Sequence, residues 1–168
     1  MQQQQAIKNI SDILSVVFNH TDDQSCIVVY DLNSPLSEIL TEAYRVALPK
    51  AQFIDFDKTD PQIILDSFQQ LKPFDFVALI QTTNFRLESF RLRLELFKRQ
   101  LKVIEHPHLG RMNGSEIQYY IDSLAYDPNY YRKLGPALKT KIDQSTICQI
   151  ETGTEIFPAT LTDRKSVV

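Results

Sequence analysis

The sequence predicts an α/β fold in three layers, with a mostly parallel sheet of about five strands and helices on both of its faces. Two observations carry this. The runs SCIVVYDL and FDFVALIQ are nearly continuous in their apolar character, as strands covered on both faces must be. Between such runs lie stretches whose apolar residues recur at helical spacing, so strand and helix alternate along the chain with short connections. That alternation is the pattern of right-handed crossovers in a parallel sheet.

The elements follow in order. Residues 1–5 are a glutamine-rich, low-complexity start, read as a flexible N-terminus or the frayed beginning of a helix. Ile7, Ile10, Leu14 and Val17 then mark one stripe of an amphipathic helix. SCIVVYDL is the first strand. In NSPLSEILTEAYRVALPK, Ser34 caps a helix, Pro35 sits in its first turn where a missing N–H costs nothing, and Pro49 ends it. AQFIDFD is the second strand, and Asp60 and Pro61 open the next helix by the same device. FDFVALIQ is the third strand. It leads through Thr82, Thr83 and Asn84 into a segment where Leu87, Phe90, Leu94, Phe97 and Leu101 give a helical stripe.

LKVIEH is a short fourth strand, after which the unit has repeated itself often enough to name the arrangement Rossmann-like. Ser115 and Gln118 form a capping box for a helix reaching about Ala125. Asp127-Pro128 opens another helix to about Ile142, with Gly135-Pro136 expected to break or kink it. STICQIE is the expected fifth strand, TGTE a turn, and IFPATL the start of a hairpin with few residues left for a second arm. The expectation is one domain over residues 1–168, with 158–168 as a loose tail.

Composition bounds the function classes. A chain of 168 residues that is 43% apolar and 23% charged, with net charge −3, is an ordinary globular protein. The acidic balance argues against a nucleic-acid partner. Arg86, Arg91, Arg93, Lys98, Arg99 and Lys102 outnumber Glu88 and Glu95 on one predicted helix, but this reads as a solvated face, since no aromatic platform accompanies the arginines. No apolar run approaches the roughly 18 residues of a membrane span, and MQQQQAIKNI lacks the apolar core of a secretory signal. Cys26 and Cys148 lie in separate apolar runs and read as reduced, buried thiols, which implies the cytoplasm.

In an open parallel sheet, ligands sit at the carboxyl ends of the strands where the strand order reverses. The polar residues predicted there are Asp31 and Asn33, Gln81, Thr82, Thr83 and Asn84, then Glu105, His106, His108 and Arg111. Glu105, His106 and His108 in VIEHPHLGRMNG raise the question of a metal. No HExxH-type spacing exists, a third ligand would have to come from elsewhere, and the simpler reading is a strand emerging into a polar surface loop whose histidines hydrogen-bond or stay solvated. No metal site is therefore expected. The first strand-to-helix turn, YDLNSPLSE, contains no glycine, which excludes the dinucleotide fingerprint and the P-loop. There is no Gly-x-Ser-x-Gly elbow, and no catalytic residue is assigned.

The second half, through roughly residues 74–157, resembles the N-terminal domain of the thermophilic metallo-aminopeptidases, the aminopeptidase T and aminopeptidase S group of leucyl aminopeptidases. The resemblance rests on DFVALIQTTNFRLESFRLR, LKVIEHPHLGRM, YDPNYYRKLGPALKTKI and STICQIETGTEI in that order. Gly153, Thr154, Glu155 and Ile156 stand where that family's turn usually reads Gly-Thr-Asp-Leu, and Gln100 stands where it often has glycine. The resemblance implies an α/β domain that precedes a larger catalytic domain, helps build the dimer and encloses the active-site cavity. It also implies that the family's two divalent metal ions and their ligands lie in the later domain, so no cofactor is expected within these residues. The expectation is a noncatalytic accessory or dimerisation domain, partnered by a second copy or another protein domain. The alternative is a small ligand-binding protein or hydrolase using the crevice at the strand ends.

Overall fold

A computed structural model describes residues 1–85, 87, 92–153 and 155–160. The chain parts into two compact units, Met1–Tyr126 and Asp127–Val168. The first is the α/β body. Its elements are α1 (Gln2–Asp12), β1 (Cys26–Tyr30), α2 (Pro35–Ala47), β2 (Gln52–Asp55), α3 (Pro61–Gln69), β3 (Phe76–Ile80), α4 (Leu92–Lys98), β4 (Lys102–His106) and α5 (Ser115–Ser123). The second unit holds α6 (Pro128–Gln144) and an antiparallel pair, β5 (Ile147–Thr152) and β6 (Glu155–Thr160).

The sheet of the first unit is parallel, in the order β2-β1-β3-β4. Side chains alternate across it. Val28, Tyr30, Phe76, Ala78 and Ile80 pack on one face with Ala6, Ile10 and Leu14, with Leu36, Leu40 and Tyr44 of α2, and with Ile121 of α5. Ile27, Val29, Ile54, Val77, Leu79 and Val103 pack on the other with Ile64 and Phe68 of α3 and Leu96 of α4. Helices therefore cover both faces, and the α/β, three-layer expectation holds. The fifth expected strand does not join this sheet. Its residues pair with β6, Ile147 opposite Thr160 and Thr152 opposite Glu155.

Several local expectations are corrected. Of the two readings of the glutamines at 2–5, the helix start holds: they open α1, where Gln3 donates to the Ile39 carbonyl (3.2 Å) and Gln5 to Asn9 (2.8 Å). Asn9, buried, in turn donates to the Ile121 carbonyl (2.7 Å) and ties α1 to α5. Ile13, three residues after Ile10, is buried on the same stripe, and a π-turn over Ile13–Val17 adds a residue to the turn beyond it and leaves Val17 exposed. Ser34, Asp60 and Asp127 cap their helices with proline following, as expected. The capping box at Ser115 and Gln118 does not form. Gly114 (φ 56°) is the cap residue, and Glu116 accepts the Asn113 amide instead (2.9 Å).

In α4 the inward residue is Leu96, while Leu94 and Phe97 are exposed; Phe90 lies outside the described residues. Helix α6 continues through Gly135-Pro136. Cys148 is exposed, and residues 158–160 belong to β6, while 161–168 lie outside the described residues. Among the described residues no helix is long and apolar enough to cross a membrane.

The turn between α4 and β4 explains one feature of the sequence. Leu101 donates to the Leu96 carbonyl (3.2 Å) and Gln100 to that of Phe97 (2.9 Å), a Schellman cap that requires a left-handed residue at 100. Gln100 adopts φ 60° there and is exposed. Glycine carries no Cβ penalty in that conformation. Gln100→Gly is expected to raise stability by about 0.5–1 kcal/mol in urea denaturation, and a loss would show that the side chain is held by something other than the cap.

Candidate functional site

The order β2-β1-β3-β4 reverses between β1 and β3, which puts the switch point at Asp31 and Thr82. Both ladders extend past the strands there, with Asp31 N–H donating to the Ile80 carbonyl (3.2 Å) and Gln81 N–H to that of His106 (3.0 Å). Asp31 is 3% exposed. Its carboxyl group accepts from the Thr82 amide (2.7 Å), the Thr82 hydroxyl and the Asn33 amide (3.2 Å). The Thr82 hydroxyl also lies 3.2 Å from the hydroxyls of Ser34 and Ser37, the pair that caps α2. Gly110 donates to the Thr82 carbonyl (3.1 Å), and a Cβ at 110 would stand 2.8 Å from Thr82 Cγ2, so only glycine lets that loop lie so close. The switch point is thus filled by the chain's own hydrogen bonds.

Alternation along β4 decides the fate of the Glu105, His106 and His108 cluster. Glu105 faces the same side of the sheet as Val103, and His106 the side of Ile104, so the two cannot converge. His108 lies beyond Pro107 in a left-handed conformation (φ 58°). Among the described residues no group of three or more His, Cys, Asp or Glu could hold a metal ion.

His106 is hydrogen-bonded, one of the two alternatives expected of it, but it is buried in β4 and does not lie in a surface loop. It is 1% exposed because β4 continues through it and α5 folds over it. Its Nε2 lies 2.9 Å from the Tyr44 hydroxyl and its Nδ1 2.9 Å from that of Tyr120. Tyr44 is fully buried, and His106 is the only hydrogen-bond partner of its hydroxyl among the described residues. A buried hydroxyl must donate, so Tyr44 gives its hydrogen to Nε2. Nδ1 therefore carries the ring proton and donates to Tyr120, whose half-buried hydroxyl can turn its own hydrogen to water. Burial lowers the His106 pKa to about 4, while it raises Tyr120 to about 12 and Tyr44 well above the ordinary tyrosine value. The three rings form a neutral bridge from α2 across β4 to α5.

Of the other predicted residues, Asn33 is exposed and donates to Asp57 (2.7 Å), and Thr83 and Arg111 are exposed. Glu105 lines a crevice of about 460 Å³ with Leu79, Gln81, Asn84, Phe85, Leu92, Arg93 and Leu94. Gln81 and Asn84 were expected at this strand end, Gln81 as an amide ending the wholly apolar run FVALI, whereas Arg93 and Phe85 were not anticipated as lining residues.

A second cavity, of about 470 Å³, opens at the opposite, amino-terminal ends of β1 and β2, where His20, Cys26 and Lys50 line it. Cys26 Sγ lies 3.2 Å from His20 Nε2. Burial and the nearby Asp75 push the thiol up to about 12, while burial and Lys102 lower His20. The pair is a neutral thiol and imidazole, and does not supply an activated thiolate. No family model, curated protein or solved structure matches the chain.

Proposed function

We propose that this chain is a noncatalytic accessory domain, of the kind that precedes the catalytic domain in the metallo-aminopeptidases its second half resembles, and that it works by associating with a second copy of itself. The observation that carries this reading is α6. Its 17 residues include none that is buried. Tyr131, Leu134, Leu138 and Ile142 recur three and four apart and so share one side of the helix, with Leu138 48% and Ile142 56% exposed. An amphipathic helix draws most of its stability from docking such a stripe, and exposed apolar patches mark interaction surfaces. The occupation of Asp31 and His106 by structural hydrogen bonds points the same way, since neither is free for chemistry. The free thiols Cys26 and Cys148 fit a reducing compartment, the cytoplasm.

Light scattering across protein concentration tests the association. The chain is expected to dimerise, and Leu138→Glu with Ile142→Glu to return it to monomer with unchanged helical circular dichroism. A chain that stays monomeric at every concentration would remove this reading. Hydrolysis of leucyl-anilide with added zinc, cobalt or manganese tests the other half. No turnover above the metal-only blank is expected, and turnover that follows the protein would overturn the noncatalytic assignment.

A further inference from the structure

The crevice at the carboxyl ends of β3 and β4 holds a polar group without a partner among the described residues. Gln81 is 5% exposed. Its Oε1 accepts the Phe85 amide (2.8 Å), which fixes the orientation of the side-chain amide, and its Nε2 makes no hydrogen bond among the described residues. No buried side-chain nitrogen or oxygen among those residues is sealed away without a partner. Nε2 must therefore reach open space, and the crevice is the open space that Gln81 lines.

Two charges flank this donor. Arg93 Nη1 and Glu105 Oε2 stand 3.4 Å apart, longer than the roughly 2.7–2.9 Å of a charge-assisted hydrogen bond. The pair is loose, and both groups line the crevice. Leu79, Leu92, Leu94 and Phe85 supply apolar wall, and the Phe85 ring is held against Phe56, with centroids 4.0 Å apart and planes 12° from parallel. The volume, about 460 Å³, lies within the range of small-molecule sites, about 300–1,000 Å³.

We infer that this crevice binds a small zwitterion, an α-amino acid with an aliphatic side chain. Its carboxylate takes Gln81 Nε2 and Arg93, its ammonium takes Glu105, and its side chain lies against the leucines and Phe85. The charges among the described lining residues select this class. An anion would meet Glu105 uncompensated, a cation would meet Arg93 and the Gln81 donor, and an apolar molecule would bury that donor unpaired. Only a ligand with both charges replaces the loose Arg93–Glu105 contact with two ionic contacts. The inference goes beyond association and does not depend on it, since the described residues lining the crevice all belong to the first unit.

Titration of the full chain with L-leucine, followed by calorimetry and by the Gln81 side-chain NH₂ signals in NMR, tests it. Saturable binding with a Kd of about 1 mM or tighter is expected. N-acetyl-leucine, which lacks the ammonium, and leucinamide, which lacks the carboxylate, are each expected to bind about tenfold or more weakly. Arg93→Gln, an exposed position, is expected to lower leucine affinity about tenfold at unchanged melting temperature. Absence of saturable leucine binding by the folded chain, equal binding of the three compounds, or an unaltered affinity in Arg93→Gln would each overturn the assignment. None of these outcomes bears on the oligomeric state.

Discussion

His106→Ala is expected to destabilise the first unit by about 3–4 kcal/mol in urea denaturation, from the cavity left in a closed site and from the Tyr44 hydroxyl left buried without an acceptor. A solvated loop histidine would cost less than about 1 kcal/mol, so the measurement separates the two situations cleanly. His106→Ala combined with Tyr44→Phe is expected to lose less than the sum of the single changes, because the second change removes the orphaned hydroxyl.

The same residue gives the fold an acid sensitivity. Burial holds His106 at about 4 in the folded chain, against about 6.5 for a free histidine, so the unfolded chain takes up the proton first. The bridge contributes fully above about pH 6.5, and its contribution falls as the pH drops toward 4. The total loss is about 3 kcal/mol. Carboxyl groups also titrate in this range, so the comparison to make is with His106→Gln, which lacks the titrating group. Stability of the wild type is expected to fall more steeply than that of the variant between pH 7 and 4. Parallel curves would show that the imidazole is accessible to protons in the folded state.

Asp31→Ala is expected to cost about 3 kcal/mol, because it removes the acceptor for the two amides and the hydroxyl that close the switch point. Asp31→Asn is expected to cost about 2 kcal/mol, since one of its two carboxyl oxygens becomes a donor facing the Thr82 amide. The measurement distinguishes structure from function. Carboxylates kept for chemistry or ligand binding are often held at a cost to the fold, and replacing them then stabilises. A gain in stability in Asp31→Asn would mean that the switch point is a working site and not a seal.

How far the sequence could be read depended on the range of the interaction involved. Where a property is set within a few residues, it was visible. The apolar runs at 26–30 and 76–80, the Ser34-Pro35 and Asp60-Pro61 helix starts and the helical stripe of α2 are local patterns, and each stands where it was expected. The left-handed turn at Gln100, by contrast, is seen only in the backbone geometry. Where local rules compete, the reading slipped. A π-turn of one extra residue displaced Val17, and a Glu116 that reached Asn113 displaced the expected capping box.

The candidate site shows the division most sharply. Residue type and strand position alone put Asp31, Thr82, Glu105 and His106 at the carboxyl edge of the sheet, and they are there. Composition and chain order determined the α/β class, because burial on both faces of a strand leaves its mark on every residue of it. Whether those polar groups were free or occupied, however, depended on residues 51 and 62 positions away, Thr82 on Asp31 and Tyr44 on His106. No local pattern encodes such a meeting. It is fixed by the register of parallel strands and the helix laid across them, which is also what left Gln81 lining a crevice with no partner for its amide hydrogens among the described residues.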